Sequence, residues 1–229
     1  MKRLNTRVLI GLTMSAIAFG TQASPEPKDP KKRTPQGLYV NAVEAYEMMK
    51  KDSKVLLVDV RTPEEWQFVG HTEMAQIMIP SVIFQYNGMD RKKPRYKSVN
   101  NPNFISELEE RAANLHADES STYVLMCRSG SSRAQPAAKM MAQYGYKNVY
   151  IVTDGFEGGK IKSGDKKGFR IQNGWKNSGL PWTYHIDAKK NLFLPTLIQP
   201  TAASAPYLVQ ELRTRSLLSV RLTRTTRRF

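Results

Sequence analysis

Cysteine is nearly absent from this sequence: its 229 residues hold one, Cys127. A single thiol excludes a disulfide framework within the chain and a zinc site built from several cysteines. Histidine is almost as scarce, at three residues, and none flanks Cys127. A Cys-His hydrolase therefore has no local support, though a distant His185 could approach in space. The mostly apolar run 8–20 has 13 residues, short of the ~20 needed to cross a bilayer as a helix. Acid is scarce beside base, with 20 Asp+Glu against 35 Lys+Arg and a net charge of +15. Such an excess suggests nucleic acid or a membrane surface as partner. Its distribution says otherwise. The ends 1–33 and 189–229 carry +5 and +7, and the stretch 34–188 only +3. No nucleic-acid partner is expected.

The ends read as extensions. Lys2, Arg3 and Arg7 precede the apolar run, and Thr21-Gln22-Ala23 offers small residues before a cut. That order is a secretory signal over 1–23, so the protein is expected to be exported, most naturally to a periplasm. No cysteine lies near the cut, which excludes a lipoprotein anchor. The proline- and charge-rich stretch 24–36 reads as a linker without packed structure. Residues 188–229 form a basic tail, lysine-free and arginine-rich after Lys190. An amphipathic helix on an anionic membrane is one reading of it. Disorder is the preferred one, since Thr223, Thr225 and Thr226 weaken a helix.

Between the ends, strand and helix signals alternate. Asn41 with Glu44 is a capping-box start for a helix to about Lys51. The run 54–60 (KVLLVDV) is a buried parallel strand, and Thr62-Pro63-Glu64-Glu65 opens another helix. QIMIP (76–80), TYVLM (122–126) and NVYIV (148–152) read as strands. Helices are expected from Asn101 to about Leu115 and from Ser131 to Tyr144. The pattern predicts an α/β three-layer domain over 37–187, with a mainly parallel sheet flanked by helices.

Cys127 falls directly after the strand TYVLM, and the small, polar CRSGSSR precedes a helical pattern. In open α/β sheets ligands bind at the carboxyl ends of strands. The backbone N–H groups of such a loop, backed by a helix N-terminus, can cradle an anion. Arg128 and Arg133 add positive charge, a setting that favours a reactive thiolate over an inert buried cysteine.

Four stretches, LLVDVRTPEEWQFVGH (56–71), CRSGSSRAQPAAKMMAQYGYKNVY (127–150), DGFEGG (154–159) and NGWKNSGLPW (173–182), resemble the single-domain rhodaneses in that family's order. The resemblance implies a rhodanese-like fold, no cofactor and no metal. It implies that Cys127 takes a sulfane sulfur as a persulfide. The donor would be a small anion such as thiosulfate, and the acceptor cyanide, a small thiol or a protein thiol. The backbone of Arg128, Ser129, Gly130, Ser131 and Ser132 would cradle the sulfur, with Arg133 as a further substrate-binding group. Asp59 and Arg61 read as a structural ion pair near the site, and His71 as structural.

The sequence departs from the family in three places. Ser132 and Arg133 stand in the reverse of the usual order, which gives C-x5-R, the spacing of cysteine phosphatases and their arsenate-reducing relatives. A loop closing after Ser132 fits sulfur, and one with Arg133 at its rim fits a tetrahedral oxyanion. Two basic insertions, 85–100 and 160–173, either frame the cleft for anionic donors or are solvated surface. A protein-binding sulfur carrier without turnover is the third reading.

Overall fold

Short runs of Val, Leu, Ile and Met form the centre of the domain. A computed structural model describes residues 24–187 apart from Lys93. In chain order its elements are β1 (Leu38–Val40), α1 (Ala42–Lys51), β2 (Leu56–Asp59), α2 (Pro63–Val69), β3 (Ala75–Met78), β4 (Val82–Met89), β5 (Tyr96–Asn100), α3 (Phe104–Asn114), β6 (Tyr123–Met126), α4 (Ala134–Gln143) and β7 (Val149–Val152). The expected signal segment 1–23 and basic tail 188–229 lie outside the described residues. No helix among the described residues is long and apolar enough to cross a membrane.

Five strands form one parallel sheet in the order β1-β7-β6-β2-β3. Every residue of β2 and β6 is buried, as expected for strands covered by helices on both faces. From β2 the chain crosses to β3 on one side, and from β6 it crosses to β7 on the other. The carboxyl ends of β2 and β6 therefore flank the switch point, where a crevice opens in folds of this kind. Asp59 ends β2 and Cys127 follows β6, so the topology alone brings these two segments together.

Three expectations change. The stretch 24–36 is not free of packing: Thr34 is buried, and Gln36 donates to the carbonyls of Ala138 and Tyr146 at 2.9 and 3.2 Å. Gln135 reaches back to the Arg33 carbonyl at 2.9 Å, so the end of that stretch is fastened to α4. The helix expected from Asn101 begins at Phe104, because the Asn101 side chain is used to accept from Asn103 N–H and to donate to the Pro80 carbonyl. The insertion 85–100 is most of an antiparallel hairpin, β4-β5, separate from the main sheet.

The closing segment returns to the body through Trp175, which is fully buried edge-to-face with Tyr46. His71 pairs with Thr183 through two backbone hydrogen bonds of 2.8 Å, and its ring Nε2 lies 3.0 Å from the His185 carbonyl.

Candidate active site

Cys127 is 1% exposed and sits where β6 ends. Its carbonyl accepts from Phe156 N–H at 2.8 Å, and the Arg128 carbonyl accepts from Glu157 N–H at 3.0 Å. The turn after β7 thus runs alongside the start of the loop. Two glycines permit the approach. Gly130 has φ +69°, and a Cβ there would collide with the Val152 and Thr153 carbonyls. Gly155 has φ +66°, and its Cβ would collide with the Cys127 carbonyl and Ser129 N–H. Asp154 braces the same turn, accepting from Ala42 N–H and Gly174 N–H at 2.9 Å each. Burial raises its pKa, partly offset by those hydrogen bonds.

The loop's backbone is uncommitted. Among the described residues, nothing accepts the N–H groups of Arg128, Ser129, Gly130, Ser131, Ser132 or Arg133. Gly130 is buried and Ser129, Ser131 and Arg133 are half-buried, where N–H groups are almost always paired, so a run of unpartnered amides next to a thiol is able to cradle an anion. The helix behind them starts irregularly. Gln135 N–H donates to the Ser131 carbonyl at 3.2 Å and Ala137 N–H to the Arg133 carbonyl at 3.1 Å. The bond between them cannot form, because residue 136 is proline and has no N–H. Regular α4 therefore begins at Ala134, not Ser131, with Arg133 at its N-cap.

By loop length alone, then, Arg133 falls inside the loop. Its side chain is engaged within the fold. The guanidinium grips Glu65 of α2 through two hydrogen bonds, one of them 2.8 Å, with 11% and 15% of the two side chains exposed. For Glu65, burial pushes the pKa up. The Arg133 hydrogen bond and charge and the Arg61 charge outweigh it, so the carboxyl is held below its usual 4.5. Arg128 is likewise paired, with Glu157 beside the turn after β7. Each loop arginine thus already faces a carboxylate.

Asp59 and Arg61 are fully buried and joined by three side-chain hydrogen bonds of 2.6–3.1 Å. Arg61 also donates to the Gly70 carbonyl at 2.9 Å and stacks 3.8 Å over the Phe156 ring. The pair ties the end of β2 to the end of α2 and to the turn against Cys127, a bracing position rather than a reacting one. The His185 side chain is exposed, and no described hydrogen bond joins a histidine to Cys127. Among the described residues, no three His, Cys, Asp or Glu side chains gather to hold a metal ion.

Sequence reading missed Glu65 and Glu157 as partners of the loop arginines, and Arg170 as a third cation near the loop. Burial pushes the Arg170 pKa down, and Arg128 repels it further, while Glu157 and Cys127 partly offset this. Nothing in the spacing of 160–173 singles Arg170 out from its basic neighbours.

A parallel α/β sheet with a cysteine at the end of its central strand, followed by a loop whose amides have no partner among the described residues, is an arrangement able to hold an anion beside a thiol. The chain belongs to the rhodanese-like domain family, whose model matches residues 41–162, more than half of it. The RP600 homolog of Rickettsia rickettsii is 34% identical over 145 residues, 62% of this chain and 94% of that protein. Rhodanese-like domain-containing protein 4, chloroplastic, of Arabidopsis thaliana is 27% identical over 154 residues, 67% of this chain and 27% of that one. Among solved structures, Rv0390 from M. tuberculosis is 29% identical with a TM-score of 0.49, covering 64% of this chain and 97% of that chain.

Proposed function

We propose that this protein is a sulfurtransferase that carries a sulfane sulfur on Cys127. The observation behind this reading is the run of six N–H groups, without a partner among the described residues, that directly follows the thiol at the end of β6. The Cys127 thiolate attacks the outer sulfur of a small anionic donor such as thiosulfate. A sulfur–sulfur bond to Cys127 forms, the donor's own sulfur–sulfur bond breaks, and sulfite leaves with its electron pair. The persulfide anion left on Cys127 is stabilised by the loop amides, preorganised dipoles in a site shielded from water. A thiophilic acceptor such as cyanide, a small thiol or a protein thiol then takes the outer sulfur and returns the Cys127 thiolate. Because Arg128 and Arg133 are neutralised by Glu157 and Glu65, the backbone rather than their side chains holds the persulfide.

Intact-mass measurement after incubation with thiosulfate tests this. The expected product is an adduct of about 32 Da, one sulfur, absent in Cys127→Ser and discharged by cyanide. No adduct on the wild-type protein would defeat the reading, and an adduct that cyanide leaves in place would favour the carrier without turnover. The phosphatase or arsenate reductase reading needs a free guanidinium at the loop rim, and the Glu65 pair speaks against it. Steady hydrolysis of an aryl phosphate that both Cys127→Ser and Arg133→Ala abolish would restore it.

A further inference from the structure

The insertion 160–173 brings a cation to the loop by a route of its own. Ile161 N–H donates to the Phe169 carbonyl at 2.8 Å and Gly168 N–H to the Ile161 carbonyl at 2.9 Å, which folds the insertion back on itself. Arg170 follows this fold, and its Nη1 donates to the Gly158 carbonyl. Gly158 adjoins Glu157, whose N–H is bonded to the Arg128 carbonyl, and Phe156 N–H is bonded to the Cys127 carbonyl. Residues 156–158 therefore run beside Cys127 and Arg128, and Arg170 is fastened to that run.

Its state differs from that of the two loop arginines. Arg128 and Arg133 each face a carboxylate. No carboxylate among the described residues pairs with Arg170, and Nη1 to Gly158 is the side chain's one hydrogen bond there. A guanidinium has five N–H donors. Arg170 Nε is buried with no acceptor among the described residues, a costly condition for a polar group and more so for a charged one. A side chain kept only to brace Gly158 would not require this. A planar fork with open donors suits a sulfonate, whose oxygens it can meet in pairs.

We propose that Arg170 is a specificity-determining residue that binds the oxyanion end of the donor and selects dianions such as thiosulfate. What happens after binding rests on the sulfur-transfer reading above; the binding itself does not. With the donor's outer sulfur at Cys127, its sulfonate projects from the loop toward the one guanidinium there that makes no ion pair among the described residues.

The test separates the two ideas. Thiosulfate is titrated by calorimetry into Cys127→Ser, and into the same protein carrying Arg170→Gln or Arg170→Lys. The Kd is expected to rise about tenfold with Gln and to recover in part with Lys, which keeps the charge but not the fork. In proteins that retain Cys127, the thiosulfate concentration giving half-maximal adduct formation rises by the same factor. Methanethiosulfonate, a monoanion that yields the same persulfide and releases methanesulfinate, shifts less, about threefold. An unchanged Kd overturns the proposal, as does Cys127→Ser protein that binds no thiosulfate. Equal losses for both donors with no recovery by Lys also overturn it, and mark Arg170 as a brace for Gly158. If Arg170 governs thiosulfate binding but no adduct forms on the wild-type protein, the binding assignment stands and sulfur transfer falls.

Discussion

Gly130 and Gly37 have nearly the same backbone, φ +69° and +66°, in different surroundings. Nothing lies within 4 Å of the Cβ that Gly37 lacks, whereas that of Gly130 would enter the Val152 and Thr153 carbonyls. The comparison isolates sterics from strain. Gly37→Ala should cost about 1 kcal/mol, the left-handed penalty of an L-residue. Gly130→Ala should add roughly 3 kcal/mol for backbone that must move aside. Urea unfolding of the two variants measures the difference, and equal costs would mean that the loop does not pack on the turn after β7 as described. The same displacement shifts the amides around Cys127. Gly130→Ala is therefore expected to lose persulfide formation at concentrations where Gly37→Ala keeps it.

At the scale of elements, the join that matters most is α2 to the start of α4 through Glu65 and Arg133. Breaking a mostly buried ion pair from one side strands the other charge, so Glu65→Gln should destabilise by about 3 kcal/mol at neutral pH. The pH dependence has a definite sign. The folded Glu65 carboxyl is held below its usual 4.5. Its stabilising contribution is thus complete above that value and is lost as pH falls through the folded pKa. Denaturation between pH 7 and pH 3 should show the wild type losing its advantage over Glu65→Gln as pH falls; a constant gap would refute the linkage. None of this was legible from the sequence. Glu65 reads only as an acid in the first turn of a helix, and its partner is 68 residues away. Ion pairing at such a separation leaves no periodicity to detect. The buried strands β2, β6 and β7 were legible because a fully covered parallel strand is a continuous apolar run. Cys127 was legible for the same reason, standing where such a run stops. The start of α4 was not, because it depends on one hydrogen bond that Pro136 cannot donate. The hairpin was hidden too: β5 is exposed at all five positions, so no alternation of apolar and polar residues marks it.

For the molecule as a whole, the hairpin is the part that owes least to the core. Val82 and Asn100 are paired at its base, and Asn101 N–H donates to the Ser81 carbonyl at 3.0 Å. Both Ser81 and Asn101 are buried, held to the Val60 and Pro80 carbonyls by hydrogen bonds of 3.0–3.5 Å. Beyond that base the ribbon exposes Ile83, Tyr86, Met89, Tyr96 and Val99. Among the described residues, a hydrogen bond from exposed Tyr86 to Glu64, one residue from Glu65, ties the ribbon to the body. A lone two-stranded ribbon is marginal by itself, so its order derives from the anchored base, while the base does not depend on the ribbon. Replacing 83–99 by Asn-Gly, a turn that suits directly opposed strand residues, should therefore leave the domain folded. Its midpoint in urea should change by no more than about 1 kcal/mol in stability, the scale of surface changes away from caps and cavities. The half-saturating thiosulfate concentration for the Cys127 adduct should stay as in the intact protein, because the groups assigned to the small donor lie on the loop after β6 and the insertion 160–173. An excised protein that folds but no longer takes sulfur from thiosulfate would place part of the donor site on the hairpin and contradict that division. Transfer onward to a protein thiol is the step in which the exposed aromatic ribbon beside α2 can make a difference, and comparing discharge by cyanide with discharge by a protein thiol in the two forms measures it.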